Sequence, residues 1–448
     1  MRKILFMFFS IAGILLAGNS PTVNAQESKP GANSGLTGKW IVDTDFFGTT
    51  IYHRMELKQE GEKLTGDFDG DKLEGTRKGN VISFVFKDDE GGTYEAKATV
   101  EGGTITGTVV STSPSKAGPS AVHKFTAKRV PEQSAKAPQR HEFTPTTFYR
   151  QFSPANKPVL TIAPGDTVHT TTVDAGGKDE KGVERVLGGN PETGPFYVET
   201  AVPGDTLAVH FTRIRLNRDW AGSDDFVVGR ALDSDWAGKM KDLGKTVLWH
   251  LDREHGVATP EKPAEHLTKY AIPLRPMLGC VATAPGPERA SPGTGDSGRF
   301  GGNMDFNEII EGATVYLPVS VPGAMLYIGD GHAAQGDGEL NGNALETSMD
   351  VEFAVDVIPG KRIPGPRVES ATHFIAMGLA GSLDDAFREA TANMAAWLTD
   401  TYKLTPSEVA QVLGTAAEFK VSEVADRNAG MVLKINKERL QALTVASK

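Results

Sequence analysis

The chain has 448 residues and a single cysteine, Cys280. One thiol allows no internal disulfide, so the fold rests on a buried core and not on covalent staples. Positive charge is also scarce: 47 Lys and Arg stand against 57 Asp and Glu, for a net charge of −10. That balance excludes a nucleic-acid binder and a basic membrane-surface protein. Beyond the N-terminus no apolar run approaches the ~20 residues of a membrane span. What is abundant is glycine, at 50 residues, with 26 prolines and no three-residue period. Many turns follow, collagen does not, and the first reading is a turn-rich β protein of roughly two to four domains.

Met1, Arg2 and Lys3 precede a 14-residue apolar run from Ile4 to Ala17, and Val23-Asn24-Ala25 stand just before Gln26. A positive start, a short apolar run and small residues before a break are the parts of a secretory signal peptide. The expectation is therefore an exported protein, periplasmic or extracellular, with residues 1–25 removed and no membrane association afterwards. An uncleaved anchor is the alternative reading of the same run.

A polar linker (26–35) leads into a distinct block, 36–130. There β-type runs, Ile51 to Leu57, Lys63 to Phe68, Asn80 to Phe86, Thr93 to Val100 and Thr104 to Val110, alternate with Gly-containing turn signals. This spacing predicts a small antiparallel β-barrel-like domain, serving either as a spacer or as a ligand-binding module. A Pro/Ser/Ala/Lys linker (131–140) separates it from residues 141–448. In that region further β runs follow Pro164-Gly165-Asp166 and Pro203-Gly204-Asp205 in a sandwich-like pattern. Two helices close the chain. One begins at Ser382 and carries Leu383, Phe387, Ala390, Met394 and Leu398 on one face; the other opens at Thr405-Pro406-Ser407-Glu408.

The densest set of chemically capable side chains lies between Gly301 and Glu346. Asn303 and Asp305 are followed by Asp330, His332, Gln335, Asp337 and Glu339, then Glu346, with glycines throughout. Glycine lets backbone approach a ligand closely, and mixed His and carboxylate donors suit a metal with an open position. A solvated acidic hairpin loop would have a similar composition. Other signals are weaker. Gly295-Asp296-Ser297-Gly298 lacks the companion motifs of a serine protease, and Asp67, Asp69 and Asp71 lack the rest of a calcium loop. Cys280 sits among apolar residues, as an inert buried thiol does.

Several phrases occur together in one order. They are Asn190-Pro191-Glu192-Thr193-Gly194-Pro195-Phe196-Tyr197-Val198-Glu199, Val202-Pro203-Gly204-Asp205, Gly301-Gly302-Asn303-Met304-Asp305, and Val321-Pro322-Gly323-Ala324 with the run Gly329 to Glu339. In these phrases the chain resembles the acetamidase/formamidase family over about residues 140 to 440. The resemblance implies a β-sandwich, jelly-roll-like, with α/β insertions and C-terminal helices, often as a homodimer. It implies hydrolysis of a short linear amide to carboxylate and ammonia with a divalent metal, zinc first, and calcium as a further structural ion.

Carried over residue by residue, the resemblance points to Asp174, Asp305, Asp330, His332 and Glu346 without dividing metal ligands from proton handlers; the mechanism expected of them makes Asp174, Asp305 and His332 the metal ligands and Glu346 and Asp330 catalytic. Asn303, Gln335 and Glu339 become substrate-binding residues, and backbone N–H groups between Gly329 and Gly338 become candidates for holding an oxyanion. Two alternatives stay open: a secreted non-catalytic binding protein on the same sandwich, and a metal-dependent hydrolase of a bulkier amide or cyclic imide.

Overall fold

The computed structural model describes residues 35–115, 120–130, 137–286 and 291–443. The expected signal peptide, most of the first linker and the first part of the second lie outside the described residues. From Leu36 onward the chain forms one compact unit. Among the described residues no helix is long and apolar enough to cross a membrane.

Eight antiparallel strands, from Gly38–Phe46 to Ala121–Arg129, close into a barrel in which the first pairs with the last. Alternation drives the closure. Val81–Lys87 points Ile82, Phe84 and Phe86 inward and Val81, Val85 and Lys87 outward. Inside, Trp40, Met55, Leu57, Leu64 and Ile105 fill the space, each at most 1% exposed. Three strands were not legible as β runs: Gly38–Phe46, Asp71–Lys78 and Ala121–Arg129. The middle one is nearly all polar and buries only Leu73. It is a strand because Lys63–Phe68 and Val81–Lys87 pair with it from both sides, a tertiary demand that overrides weak propensity.

The rest of the β structure is two sheets, of 12 and 9 strands. They share one core, to which the first sheet contributes Phe196, Leu326 and Ile328 and the second Val209, Val351 and Phe353. Both Pro-Gly-Asp turns are locked by their own aspartates. Asp166 accepts from the Ala163 N–H and Asp205 from the Val202 N–H, at 2.9 and 3.0 Å. Asp205 also faces the barrel, with Arg54 Nη1 at 3.8 Å, while Arg362 Nη2 of the sandwich lies 3.4 Å from Asp69 Oδ1 of the barrel.

The two longest helices among the described residues are Leu383–Tyr402 and Pro406–Ala416, capped by Ser382 and by a Thr405–Glu408 capping box. The buried face of the first is Ala386, Ala390, Asn393, Met394, Trp397 and Leu398. Phe387, expected on that face, is 43% exposed and stacks on Phe419 instead. Trp397 and Ala386 take the core positions, so the stripe is rotated from the one a Leu/Phe count suggests.

At the centre of the larger sheet lies the strand Leu326–His332, all seven residues buried. It pairs with Met277–Ala282, also wholly buried, and with Glu192–Val198 and Glu346–Thr347. This strand positions the site. For the barrel, Leu57→Ala is expected to lower its stability by about 2–5 kcal/mol, because a fully buried side chain leaves a cavity there. Urea unfolding of the full chain followed by Trp fluorescence measures it.

Candidate metal and hydrolase site

His332 ends the central strand, and the register sets Glu346 directly opposite it. Directly paired residues carry their side chains on one face. Glu346 Oε2 accordingly comes within 3.2 Å of His332 Nε2, with Asp330 Oδ2 at 3.3 Å and Glu339 Oε1 at 3.9 Å. Two sets, Asp305–His332–Glu339 and Asp330–His332–Glu346, each gather ligand-type atoms within 4.8 Å of one another. All five residues are at most 8% exposed. Buried acidic and imidazole groups so arranged could bind a metal ion.

Two amide side chains hold this arrangement in place. Gln335 Oε1 meets His332 Nδ1 at 2.7 Å, while its Nε2 donates to the carbonyls of Asp305 and Ser422 at 2.5 and 3.3 Å. Because Oε1 accepts, Nδ1 carries the proton in this contact and Nε2 is left facing the carboxylates. Asn303 accepts from Asn190 Nδ2 and donates to Asp305 Oδ2 and Asp426 Oδ2, each at 2.8 Å. Read from sequence as substrate-orienting, both amides spend their hydrogen bonds inside the protein. They hold Asp305 and His332 in place.

The backbone is shaped to the same end. A Cβ on Gly279 would stand 1.9 Å from Asp330 Oδ2 and 2.4 Å from Asp305 Oδ1, so glycine there is what lets both carboxylates lie against the sheet. Gly329 makes equal room for Glu192 Oε2, at 2.0 Å. Asp305, Asp330 and Glu339 themselves adopt left-handed φ of 40°, 52° and 48°. Such conformations cost on the order of 1–3 kcal/mol each and persist where the surroundings over-determine them.

Electrostatics follow from crowding. Burial, reinforced by Glu339 and Asp330, pushes the Asp305 carboxyl well above the usual carboxylate range. Burial also raises Glu339, against the pull of His332. Glu346 is pushed up to about 7 by burial and by Asp330. For His332 burial would lower the pKa, but Asp330 and Glu346 together raise it well above the ordinary imidazole value. That charge in turn holds Asp330 below its usual range despite burial. The surroundings thus favour the protonated imidazole, and a divalent cation bound there would take the place of that proton.

Of the eight residues singled out from sequence, seven come together here. Asp174 does not: its Oδ2 pairs with Arg218 Nη2 and its Oδ1 accepts from the Lys178 N–H, both at 2.8 Å, and it joins neither ligand set. It supports the site indirectly, because Arg218 also donates to Thr347, the neighbour of Glu346. Asp330, expected to be catalytic, and Glu339, expected to touch substrate, both stand among the ligand-type groups. Two of the loop N–H groups considered for an oxyanion are already used, donating to the carbonyls of Leu345 from Ala333 and of Val421 from Gly338.

Three buried or half-buried carboxylates escaped the sequence reading. Glu192, fully buried, lay inside a matching phrase; burial and Asp330 raise its pKa well above the usual range. Glu423 and Asp426 come from the Glu418–Glu423 strand and the turn after it, which Gly338 and Val424 tie to the Glu339 loop. Nothing local marks them. Burial and Asp426 push Glu423 up to about 8, and burial with Asp330 pushes Asp426 up to about 6, against the Asn303 hydrogen bond.

Comparison with known proteins agrees with the resemblance read from the sequence. Residues 288–373, which contain most of this site, match the Acetamidase/Formamidase family. A formamidase candidate of Schizosaccharomyces pombe is 28% identical over 193 residues, 33% of this chain and 47% of that protein, so the match spans about half of the relative's length. Among solved structures, the acetamidase of Bacillus halodurans superposes with a TM-score of 0.58 at 29% identity, over 68% of this chain and all of that one. The acetamidase of Yersinia enterocolitica gives 0.58 at 26% identity, over 69% and 95% of the two chains. The uncovered third of this chain is comparable in length to the N-terminal region that carries the barrel.

If Gln335 orients His332, Gln335→Leu is expected to weaken divalent-metal binding by about 10–100-fold while the far-UV circular dichroism stays unchanged. Equilibrium dialysis against zinc measures it.

Proposed function

We propose that this chain is an amidase of the acetamidase/formamidase kind, hydrolysing a short linear amide to a carboxylate and ammonia at a centre that holds a divalent metal ion. The observation that carries this reading is the buried His332 Nε2 with Glu346 and Asp330 oxygens at 3.2 and 3.3 Å. The residues fit a metal. Asp305 Oδ1 is a buried acceptor with no hydrogen-bond partner and Asp330 Oδ2 has only the His332 imidazole, 3.3 Å away, so a cation would satisfy both. His332, Asp305, Asp330 and Glu339 are the candidate holders, and the imidazole among them admits zinc as the ion proposed. Such an ion would supply Lewis-acid polarisation of the amide carbonyl and acidify a water.

The chain's own groups then account for the protons. Glu346 is fixed by the Ala175 N–H, which donates to Oε1 at 2.9 Å and leaves Oε2 turned to the site. It accepts a proton from the water that adds to the carbonyl carbon and passes it to the departing nitrogen as the C–N bond breaks. One carboxylate serves both steps. A strand-held group keeps that geometry better than a loop would. Export and a homodimer remain part of the proposal, resting on the Met1 to Ala25 pattern and on the family resemblance.

The test is ammonia release from formamide, acetamide and propionamide by the full chain, before and after chelation and with zinc restored. Turnover is expected to vanish on chelation and to return with the metal. Glu346→Gln is expected to lower kcat by about 10²–10⁴-fold with metal still bound, whereas His332→Ala is expected to lose the metal itself. Full activity in chelated protein or in Glu346→Gln would contradict the proposal.

A further inference from the structure

Arg367 opens the short strand Arg367–Glu369 of the nine-stranded sheet. Its neighbour Val368 enters the core shared by the two sheets, so alternation turns Arg367 to the opposite face, under the helix Leu383–Tyr402. Tyr316 stands directly across from it in the register. Arg367 is only 2% exposed there. Burial pulls its guanidinium down to about 10, against the opposing effect of exposed Asp400, and it stays charged at neutral pH. Buried charges are ordinarily paired with an opposite charge. Among the described residues Arg367 forms no ion pair, and its hydrogen bonds go to one asparagine.

Nε donates to Asn393 Oδ1 at 2.8 Å and Nη2 to the Asn393 carbonyl at 3.3 Å. Both bonds lie along the side edge of the guanidinium. The end formed by Nη1 and Nη2, the fork that fits a carboxylate, has no further protein acceptor among the described residues. The Trp397 ring lies against the same group, with its centroid 5.0 Å from Cζ. Arg367 and Trp397 line a cavity of about 120 Å³ together with Tyr316, Ile358, Lys361 and Ile363. Half-buried Lys361 is a second cation on this cavity, and it too forms no ion pair among the described residues. The one carboxylate in the lining, Glu369, is already engaged, by the Tyr316 hydroxyl at 2.9 Å and Lys437 Nζ at 2.7 Å.

From this arrangement we propose that the cavity is a binding site for a short-chain carboxylate, with its oxygens on Arg367 and Lys361 and its alkyl end against Ile358, Ile363 and Trp397. The acid brings the negative charge and the paired acceptors that the chain itself does not place there. An amide of the same shape lacks the charge, and an ammonium ion is repelled. The small volume suits a short acid and not a long-chain one. The site lies in the other sheet from His332, and it stands independently of the amidase reading.

The carboxylate product of the proposed reaction belongs to the same class of ligand, so the test uses the full chain after chelation. Without a metal, the carboxylates around His332 repel an acid, and binding then reports the Arg367 cavity. Saturation-transfer NMR is expected to show propionate bound about tenfold or more tightly than its neutral isostere propionamide, and propylammonium not bound. Arg367→Met is expected to abolish propionate binding, and Lys361→Ala to weaken it by about three- to tenfold. Lys361→Ala is the decisive variant if the buried Arg367→Met does not fold.

Equal binding of propionate and propionamide overturns the proposal, as does an affinity for propionate unmoved by Lys361→Ala. Sulfate bound more tightly than propionate overturns the assignment to a carboxylate. Ammonia release is read separately: an active amidase that binds no propionate here loses only this proposal, and propionate binding in a chain that hydrolyses no amide leaves it standing.

Discussion

Everything around the central strand answers to one constraint: a single imidazole held among carboxylates inside a sheet, where charge is expensive to bury. Isolated ions in such a place are strongly disfavoured, and groups shift their protonation until opposite charges or protons compensate. Glu346 and Asp330 can crowd His332 because its protonated form, or a metal in its place, balances them. Gly279 is glycine because two carboxylate oxygens occupy the space of its Cβ. The left-handed φ of Asp305 is held by hydrogen bonds from Asn303 and Gln335, and that of Asp330 by its place in the packed central strand. The buried Arg218, which reaches the Glu346 carbonyl, is committed to Asp174.

Much of this was legible in the amino-acid sequence. His332 between small residues, with acids at short spacings on either side, marked the centre, and the order of phrases from Asn190 to Glu339 marked the fold. The helix starts at Ser382 and Thr405 were equally plain, since capping is a local matter. What escaped was non-local. Asp174 looks like its neighbours in chemistry, and only the fold brings Arg218 to it. Glu423 and Asp426 enter by the docking of a late strand on the Gly338 turn. Asn303 and Gln335 were found as polar groups near the site, but their role depends on partners that spacing does not name. The Asp71–Lys78 strand was missed for the same reason, because closure of a barrel is visible only from both of its neighbours.

The barrel stands apart in character. Its interior is filled by Trp40, Met55, Leu57 and Leu64, which favours a structural part over a ligand-holding one. It meets the sandwich through charged contacts, Arg54 with Asp205 and Arg362 with Asp69, and Asp205 also locks one of the turns that starts a sandwich strand. The barrel is therefore tied to the scaffold of the catalytic unit at a point distant in sequence from His332.

The central claim is that His332 and its carboxylates hold a divalent metal, and X-ray absorption at the zinc edge of loaded full-length protein tests it most directly. The account predicts a first shell of one imidazole nitrogen and carboxylate or water oxygens at about 2.0–2.2 Å, with the imidazole signal lost in His332→Ala. A shell containing sulfur, which would place the ion on Cys280, or an imidazole signal that survives loss of His332, would contradict it.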